Sequence, residues 1–199
     1  MGNPFFSIII PTHNGADRIG KALESCIAQS FRDFEIIVVC DCCTDDTARI
    51  AQDYGARVVF VRERRDGLAR NAGLDIAYGE WILFLDDDDW WLHEFVFQQL
   101  FEMICGTEAD VVNFGVVWRT VGLRAALPGK YLAMVAGHCW RREFIGDTRF
   151  DNAPYSADTH FLEALIAKHP VGMWSTMPMY YYNYMRPGSL SDQHKKGEI

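Results

Sequence analysis

Short apolar runs alternate along this chain with stretches whose apolar positions recur every three or four residues. Phe5-Phe6-Ser7-Ile8-Ile9-Ile10, ended by Pro11, reads as a strand buried on both faces. Ile19, Ala22, Leu23, Cys26 and Ile27 then share one helical face, with Asn14 as the expected cap and Asp17 three residues on. Glu35 to Cys40 is a second strand. Thr44 is the expected cap of the next helix, whose first turn carries Asp45 and Asp46 beside the positive end of its dipole and which Gly55 ends. Arg57 to Val61 forms a third strand, Gly67 to Ala77 a third helix stopped by Gly79, and Trp81 to Leu85 a fourth strand.

This alternation is the pattern of a parallel sheet covered on both faces by right-handed crossovers, a doubly wound α/β domain. Beyond Asp89 the regularity thins. Leu92, Phe95, Val96, Leu100, Met103 and Ile104 predict an amphipathic helix, and Val111 to Trp118 a strand. Asp158 to Lys168 predicts a helix turning Phe161, Leu162 and Leu165 inward, and Tyr180 to Tyr184 a last strand. Arg119 to Val135 carries little pattern. With no internal repeat and no low-complexity linker, residues 1–199 read as one domain.

In such sheets ligands bind beyond the carboxyl ends of the strands. Those ends are Pro11-Thr12-His13-Asn14, Asp41-Cys42-Cys43, Arg62 to Asp66, and Asp86 to Asp89. Two carboxylate sets and a basic cluster (Arg62, Arg64, Arg65, with Arg70 a turn inside the helix) are expected on one rim, which suits a nucleoside diphosphate bound with a metal. The four consecutive aspartates repel one another, so they must be fully hydrated or neutralised by a cation. Magnesium or manganese fits the hard oxygen donors, and a solvated acidic loop is the other reading. No G-x-G-x-x-G follows the first strand and no G-x-x-x-x-G-K-[ST] occurs, which counts against a dinucleotide cofactor and a P-loop.

Composition narrows the partners. Of 199 residues 49% are hydrophobic, enough for a substantial core, and the formal charge of -8 disfavours nucleic acid and anionic lipid as partners. The six cysteines lie in apolar stretches and show no paired CxxC motifs, which argues against a zinc site or a disulfide framework, so a reduced, cytoplasmic setting is expected. No signal peptide or membrane span is read, and Phe6 stands where a myristoylation signal needs Ser or Thr.

Ser7-Ile-Ile-Ile-Pro-Thr-His-Asn14, Ala28-Gln-Ser-Phe31 before Phe34-Glu-Ile-Ile-Val-Val39, Gly67-Leu-Ala-Arg-Asn-Ala-Gly73 and Gly79-Glu-Trp-Ile-Leu-Phe-Leu-Asp-Asp-Asp-Asp89 together resemble the family 2 glycosyltransferases of the GT-A fold. The likeness is specific over residues 5–95. It continues more weakly through Cys139 to Phe144, Asp158, and Tyr180 to Ser191.

The resemblance implies inverting sugar transfer from a nucleotide-sugar donor, UDP by family frequency, to a saccharide or other hydroxyl-bearing acceptor. Residues 5–95 would then form the donor half and 96–199 the acceptor and base half. The loop of Pro11, Thr12, His13 and Asn14 would pack on the nucleotide, Asp41 would hydrogen-bond base or ribose, and Arg70 would approach the diphosphate. Asp86-Asp87-Asp88 stands at the DXD position. Its last aspartate, Asp88, would be the principal ligand of a manganese or magnesium ion, supported by Asp86, with Asp87 beside the donor at a variable position. Asp89 would order the turn into the following helix. Asp158, at the family's second acidic position, would be the general base.

The chain departs from the family at Cys40-Asp41-Cys42-Cys43, where two aspartates and Gly-Ser are usual, at Ala157, where Glu is common, and at His13, where Tyr is frequent. Cys42 and Cys43 read as small packing residues. Trp90-Trp91 reads either as a platform for a sugar face or as the start of an amphipathic helix with one ring buried. Arg186, in a loop with Ser189 and Ser191, is a candidate to close over the diphosphate. A catalytically silent sugar-nucleotide-binding or partner-binding domain is the competing reading. A nucleotidyltransferase would need a Gly-rich loop near the first strand that this chain lacks.

Overall fold

The computed structural model describes residues 2–153, 156–184 and 186–187, so Ser189 and Ser191 lie outside the described residues. Four strands, β1 (Phe6–Thr12), β2 (Phe34–Asp41), β3 (Arg57–Val61) and β4 (Trp81–Phe84), pair in parallel in the order β3-β2-β1-β4. Every residue of β1 is buried, as expected of a central strand covered on both faces. β3 is the edge, and Phe60 on it is 66% exposed.

Helix α1 (Ile19–Ile27) buries Ile19, Ala22, Leu23 and Cys26 at the spacing one helical face requires. Ile27, expected on the same face, is 42% exposed, because the helix ends there and the next residues turn away. Together with α2 (Thr47–Asp53) and α4 (Val96–Ile104), α1 packs on the face carrying Phe6, Ile8, Ile10, Val38 and Leu83. Helices α3 (Asp66–Ile76) and α6 (Ala157–Ile166) contribute to the core on the opposite face with Ile9, Val39, Ile82 and Phe84. Each fully buried aliphatic side chain contributes roughly 1.5–3 kcal/mol. Gly73 lets α3 lie against β1, since a Cβ there would sit 2.5 Å from Ile9 Cγ2.

Past β4 the sheet becomes mixed. Strand β5 (Trp90–Trp91) is followed by β6 (Val111–Trp118), β7 (Gly122–Arg124), β8 (His138–Arg141) and β9 (Gly172–Tyr182). The sheet continues β4-β8-β6-β9-β5, with β7 paired to β6. β8 runs antiparallel to both β4 and β6, whereas β9 runs parallel to β6 through register shifts at Gly115. A Cβ at Gly115 would lie 2.8 Å from the Met177 carbonyl oxygen, so the irregular pairing needs glycine there. A short helix, α5 (Arg142–Ile145), follows β8.

Several local expectations change. The last strand begins at Gly172, eight residues before the predicted Tyr180, and α4 begins at Val96, leaving Phe95 half exposed. Asn14 does not cap α1. It has φ +48, and its Oδ1 accepts the Thr44 amide at 2.8 Å across two loops. Thr44 does not cap α2 either, because Asp45 Oδ1 accepts the Thr47 amide at 3.1 Å. Trp90 and Trp91 start no helix, since they pair in antiparallel fashion with Tyr181 and Tyr180.

Candidate active site

The four loops at the carboxyl ends of β1 to β4 are wired to one another. His13 Nδ1 lies 2.6 Å from the Asp41 carbonyl oxygen, joining the first loop to the second. Cys43 Sγ receives the Asn14 amide at 3.4 Å and points to the Thr12 carbonyl at 3.5 Å, so it packs and bonds between the same loops. Asp41 is 4% exposed, and its two oxygens accept the amides of Glu63 and Arg65 at 2.9 and 3.1 Å. The carboxylate thus shapes the basic loop after β3. Asn14, Cys42 and Arg64 have φ of +48, +54 and +52, one on each of the first three loops. Left-handed backbone at non-glycine residues is uncommon and gathers where a loop is held for binding.

The fourth loop carries the aspartates, which alternate between half-buried and buried. Thr12 Oγ1 donates to Asp87 Oδ2 at 2.5 Å, and Arg18 grips the same carboxylate through Nε and Nη2, each at 2.8 Å. Asp89 is fully buried. It accepts the Tyr180 hydroxyl at 2.5 Å and the Asn183 amide at 2.8 Å, which ties the turn to β9 and not to a following helix. Burial raises the Asp89 carboxyl well above the usual range, and the charges of Asp86 and Asp88 add to the effect. Burial also raises Asp87, against the pull of Arg18.

Asp86 and Asp88 remain partly open. Arg70 Nη2 lies 2.7 Å from Asp86 Oδ1, and Arg186 Nε lies 2.7 Å from Asp88 Oδ2. Arginines therefore balance three of the four carboxylates, where sequence reasoning allowed only hydration or a metal. Arg70 is 6% exposed, and its Nη1 lies 3.3 Å from Asp158 Oδ1. Its guanidinium bridges Asp86 of the aspartate loop and Asp158, the candidate base.

Asp158 opens α6, and its Oδ2 accepts the Val135 amide at 3.3 Å. Burial raises its carboxyl above the usual range, with the Arg70 charge opposing and the Asp86 charge reinforcing the rise. Its side chain is still 27% exposed, so a carboxylate of enhanced basicity meets solvent beside the aspartate loop.

Trp90 stacks on Tyr181 with ring centroids 4.0 Å apart, and Lys21 Nζ lies 3.0 Å from the Trp90 centroid, so both ring faces are occupied. Trp91 is buried. Arg18 and Tyr180 are the organising residues that sequence reasoning missed as such. The only signal for Arg18 was an arginine four residues beyond Asn14, and Tyr180 was one of three adjacent tyrosines.

Among the described residues no three His, Cys, Asp or Glu side chains form a metal cage. Mg²⁺ and Mn²⁺ chemistry does not require one, since one or two carboxylates with water and substrate phosphate suffice. Asp86 and Asp88 fit that partial set, and the guanidinium on Asp88 shows that its oxygen already serves a cation. Among the described residues no helix is long and apolar enough to cross a membrane, and all six cysteines are free thiols.

The chain is similar to EpsJ, an uncharacterized glycosyltransferase of Bacillus subtilis, at 34% identity over 130 residues, 63% of this chain and 38% of EpsJ. It spans between 16% and 38% of the length of the first three curated relatives it matches. Among solved structures, S. aureus TarS 1-349 in complex with UDP-GlcNAc superposes with TM-score 0.84 at 23% identity, over 96% of this chain and 61% of that one. The mannosyltransferase PcManGT of Pyrobaculum calidifontis, in complex with GDP-Man and Mn2+, superposes with TM-score 0.74 at 15% identity, over 98% and 61%. These likenesses establish the GT-A fold. The family model described as Glycosyl transferase family 2 matches residues 7–158, from the first strand to the candidate base, and the chain belongs to that family.

Proposed function

We propose that this chain transfers a sugar from a UDP-linked donor to a hydroxyl of a saccharide or other acceptor, with inversion at the anomeric carbon. The observation that carries the reading is the Arg70 bridge, which sets the DXD aspartates and a carboxylate of raised basicity side by side on the rim where the strands end. TarS bound to UDP-GlcNAc and PcManGT bound to GDP-Man and Mn2+ support a nucleotide-sugar donor and a divalent metal.

In this reading Pro11, Thr12, His13 and Asn14 floor the nucleotide pocket, Asp87 and Arg18 hold that floor in place, and Asp41 offers its remaining lone pairs to base or ribose. Arg70 holds Asp86 and Asp158 and adds positive potential toward the diphosphate. Asp88, with Asp86, would hold Mn2+ or Mg2+, which when bound supplies Lewis-acid neutralisation of the leaving diphosphate. Asp158 takes the acceptor hydroxyl proton as that oxygen bonds to the anomeric carbon, while the bond from carbon to phosphate oxygen breaks on the opposite face. The nucleoside diphosphate departs with that electron pair. Free thiols accord with a reduced, cytoplasmic setting.

A thermal-shift screen of UDP-, GDP- and TDP-sugars with and without manganese tests the reading, because a ligand selective for the native state raises its melting temperature. UDP-sugar with manganese should give the largest shift, and Asp88→Asn should remove the metal-dependent part. No metal-dependent shift with any donor would overturn the assignment.

A further inference from the structure

Two successive carboxylates tie the segment after β9 to the aspartate loop, and the ties differ in kind. The Asn183 amide donates to Asp89 Oδ1 at 2.8 Å, where the carboxylate is fully buried and its other oxygen takes the Tyr180 hydroxyl. Three residues on, Arg186 Nε donates to Asp88 Oδ2 at 2.7 Å, with side-chain exposures of 29% and 16%. The Arg186 amide donates to the Asn183 carbonyl at 3.2 Å, so the guanidinium hangs one short turn beyond the fixed tie. The first tie is closed to solvent and the second open to it.

We propose that Arg186 is an exchangeable counter-cation for Asp88, one that holds the carboxylate in the free protein and passes to the diphosphate when a divalent cation and nucleotide bind. This deepens, and rests on, the reading of Asp88 as a metal ligand. One carboxylate oxygen cannot serve the guanidinium and a dication together without bringing two cations into contact. The contact uses Nε, while among the described residues Nη1 makes only a 3.3 Å bond to the Pro187 carbonyl, so the guanidinium keeps donors for phosphate oxygens. A metal ion that takes Oδ2 therefore displaces Arg186 into solvent, whereas metal with a diphosphate supplies a new partner. Metal and nucleotide binding become positively coupled through this one side chain, and linkage makes the coupling reciprocal.

Manganese binding, read by electron paramagnetic resonance with and without UDP on the full chain, tests this in the wild type, Arg186→Gln, Arg186→Lys and Asp88→Asn. Circular-dichroism melts check folding. Arg186→Gln should bind manganese alone about 5- to 20-fold more tightly than wild type, and UDP should improve its affinity by a smaller factor than in wild type. Arg186→Lys, which keeps the charge, should stay near wild type. Equal or weaker manganese binding by Arg186→Gln overturns the exchange while leaving the metal assignment standing. Unchanged affinity in Asp88→Asn, or no binding in any protein with UDP, GDP or TDP, removes both.

Discussion

Arg70 and Asp158, 88 residues apart in sequence, meet at 3.3 Å, and the same guanidinium reaches Asp86 at 2.7 Å. A single buried cation therefore sets the charge balance between Asp86 and Asp158 in the candidate site. The Arg70 charge opposes the rise that burial imposes on the Asp158 carboxyl. The acid limb of kcat/KM, where the base is lost as it protonates, should accordingly lie above the ordinary aspartate range of about 3.9. Arg70→Gln should move that limb to higher pH, a shift that a purely structural arginine would not produce.

Replacing Asp158 by Asn keeps shape and the Val135 contact but removes the proton acceptor. Transfer should fall by about 10²- to 10⁴-fold in kcat, while binding of UDP with manganese stays within a small factor of wild type. Steady-state kinetics beside calorimetric titration would separate the two.

Asp87 calls for a different readout. Arg18→Met strips the buried Asp87 carboxylate of a two-point partner and leaves only Thr12. We expect a loss of about 2–3 kcal/mol, toward the low side of buried-pair disruption because the Arg18 side chain is 21% exposed. Urea unfolding measures it, and a double variant with Asp87→Leu should recover part of the loss.

Asp89 couples stability to pH. Its carboxyl is raised well above the unfolded value, so its stabilising contribution is complete below the unfolded range near pH 3.9 and is lost as pH rises through the folded value. Asp89→Asn has no such titration. The stability of the Asn variant relative to wild type should therefore increase with pH, as chemical denaturation at several pH values would show.

Gly73 is the packing counterpart. Ala at this position drives a methyl group into Ile9 Cγ2, and α3 must shift off β1. Because α3 carries Arg70, Gly73→Ala should cost about 1–3 kcal/mol and also reduce transfer, measurable by thermal unfolding beside kinetics.

The first ninety residues were legible because each strand is a short apolar run closed by a polar loop, with a helical pattern between runs. β1, β2 and β3 pair in sequence order, and β4 crosses back to the free edge of β1. The rest of the chain lacks that regularity. β8 inserts between β4 and β6, and β9 pairs with both β6 and the two-residue β5, contacts that no local period announces. Caps misread at Asn14 and Thr44 have a related cause, since Asn14 spends its oxygen on the Thr44 amide of another loop. The candidate residues were visible as residue types, but their partners were not. Asp87 finds Arg18 69 residues away, and Asp88 finds Arg186 98 residues away.

The four aspartates read as a single acidic block, yet along the chain they alternate between two fates. Asp87 and Asp89 are buried and bound to the frame, while Asp86 and Asp88 reach the opening. Two evolutionary constraints are thus interleaved letter by letter. A lineage could rewrite the outward pair and still inherit an intact scaffold. Changes in the inward pair act instead on the ties to Thr12, Arg18, Tyr180 and Asn183, and so on the stability of the frame that presents the outward pair.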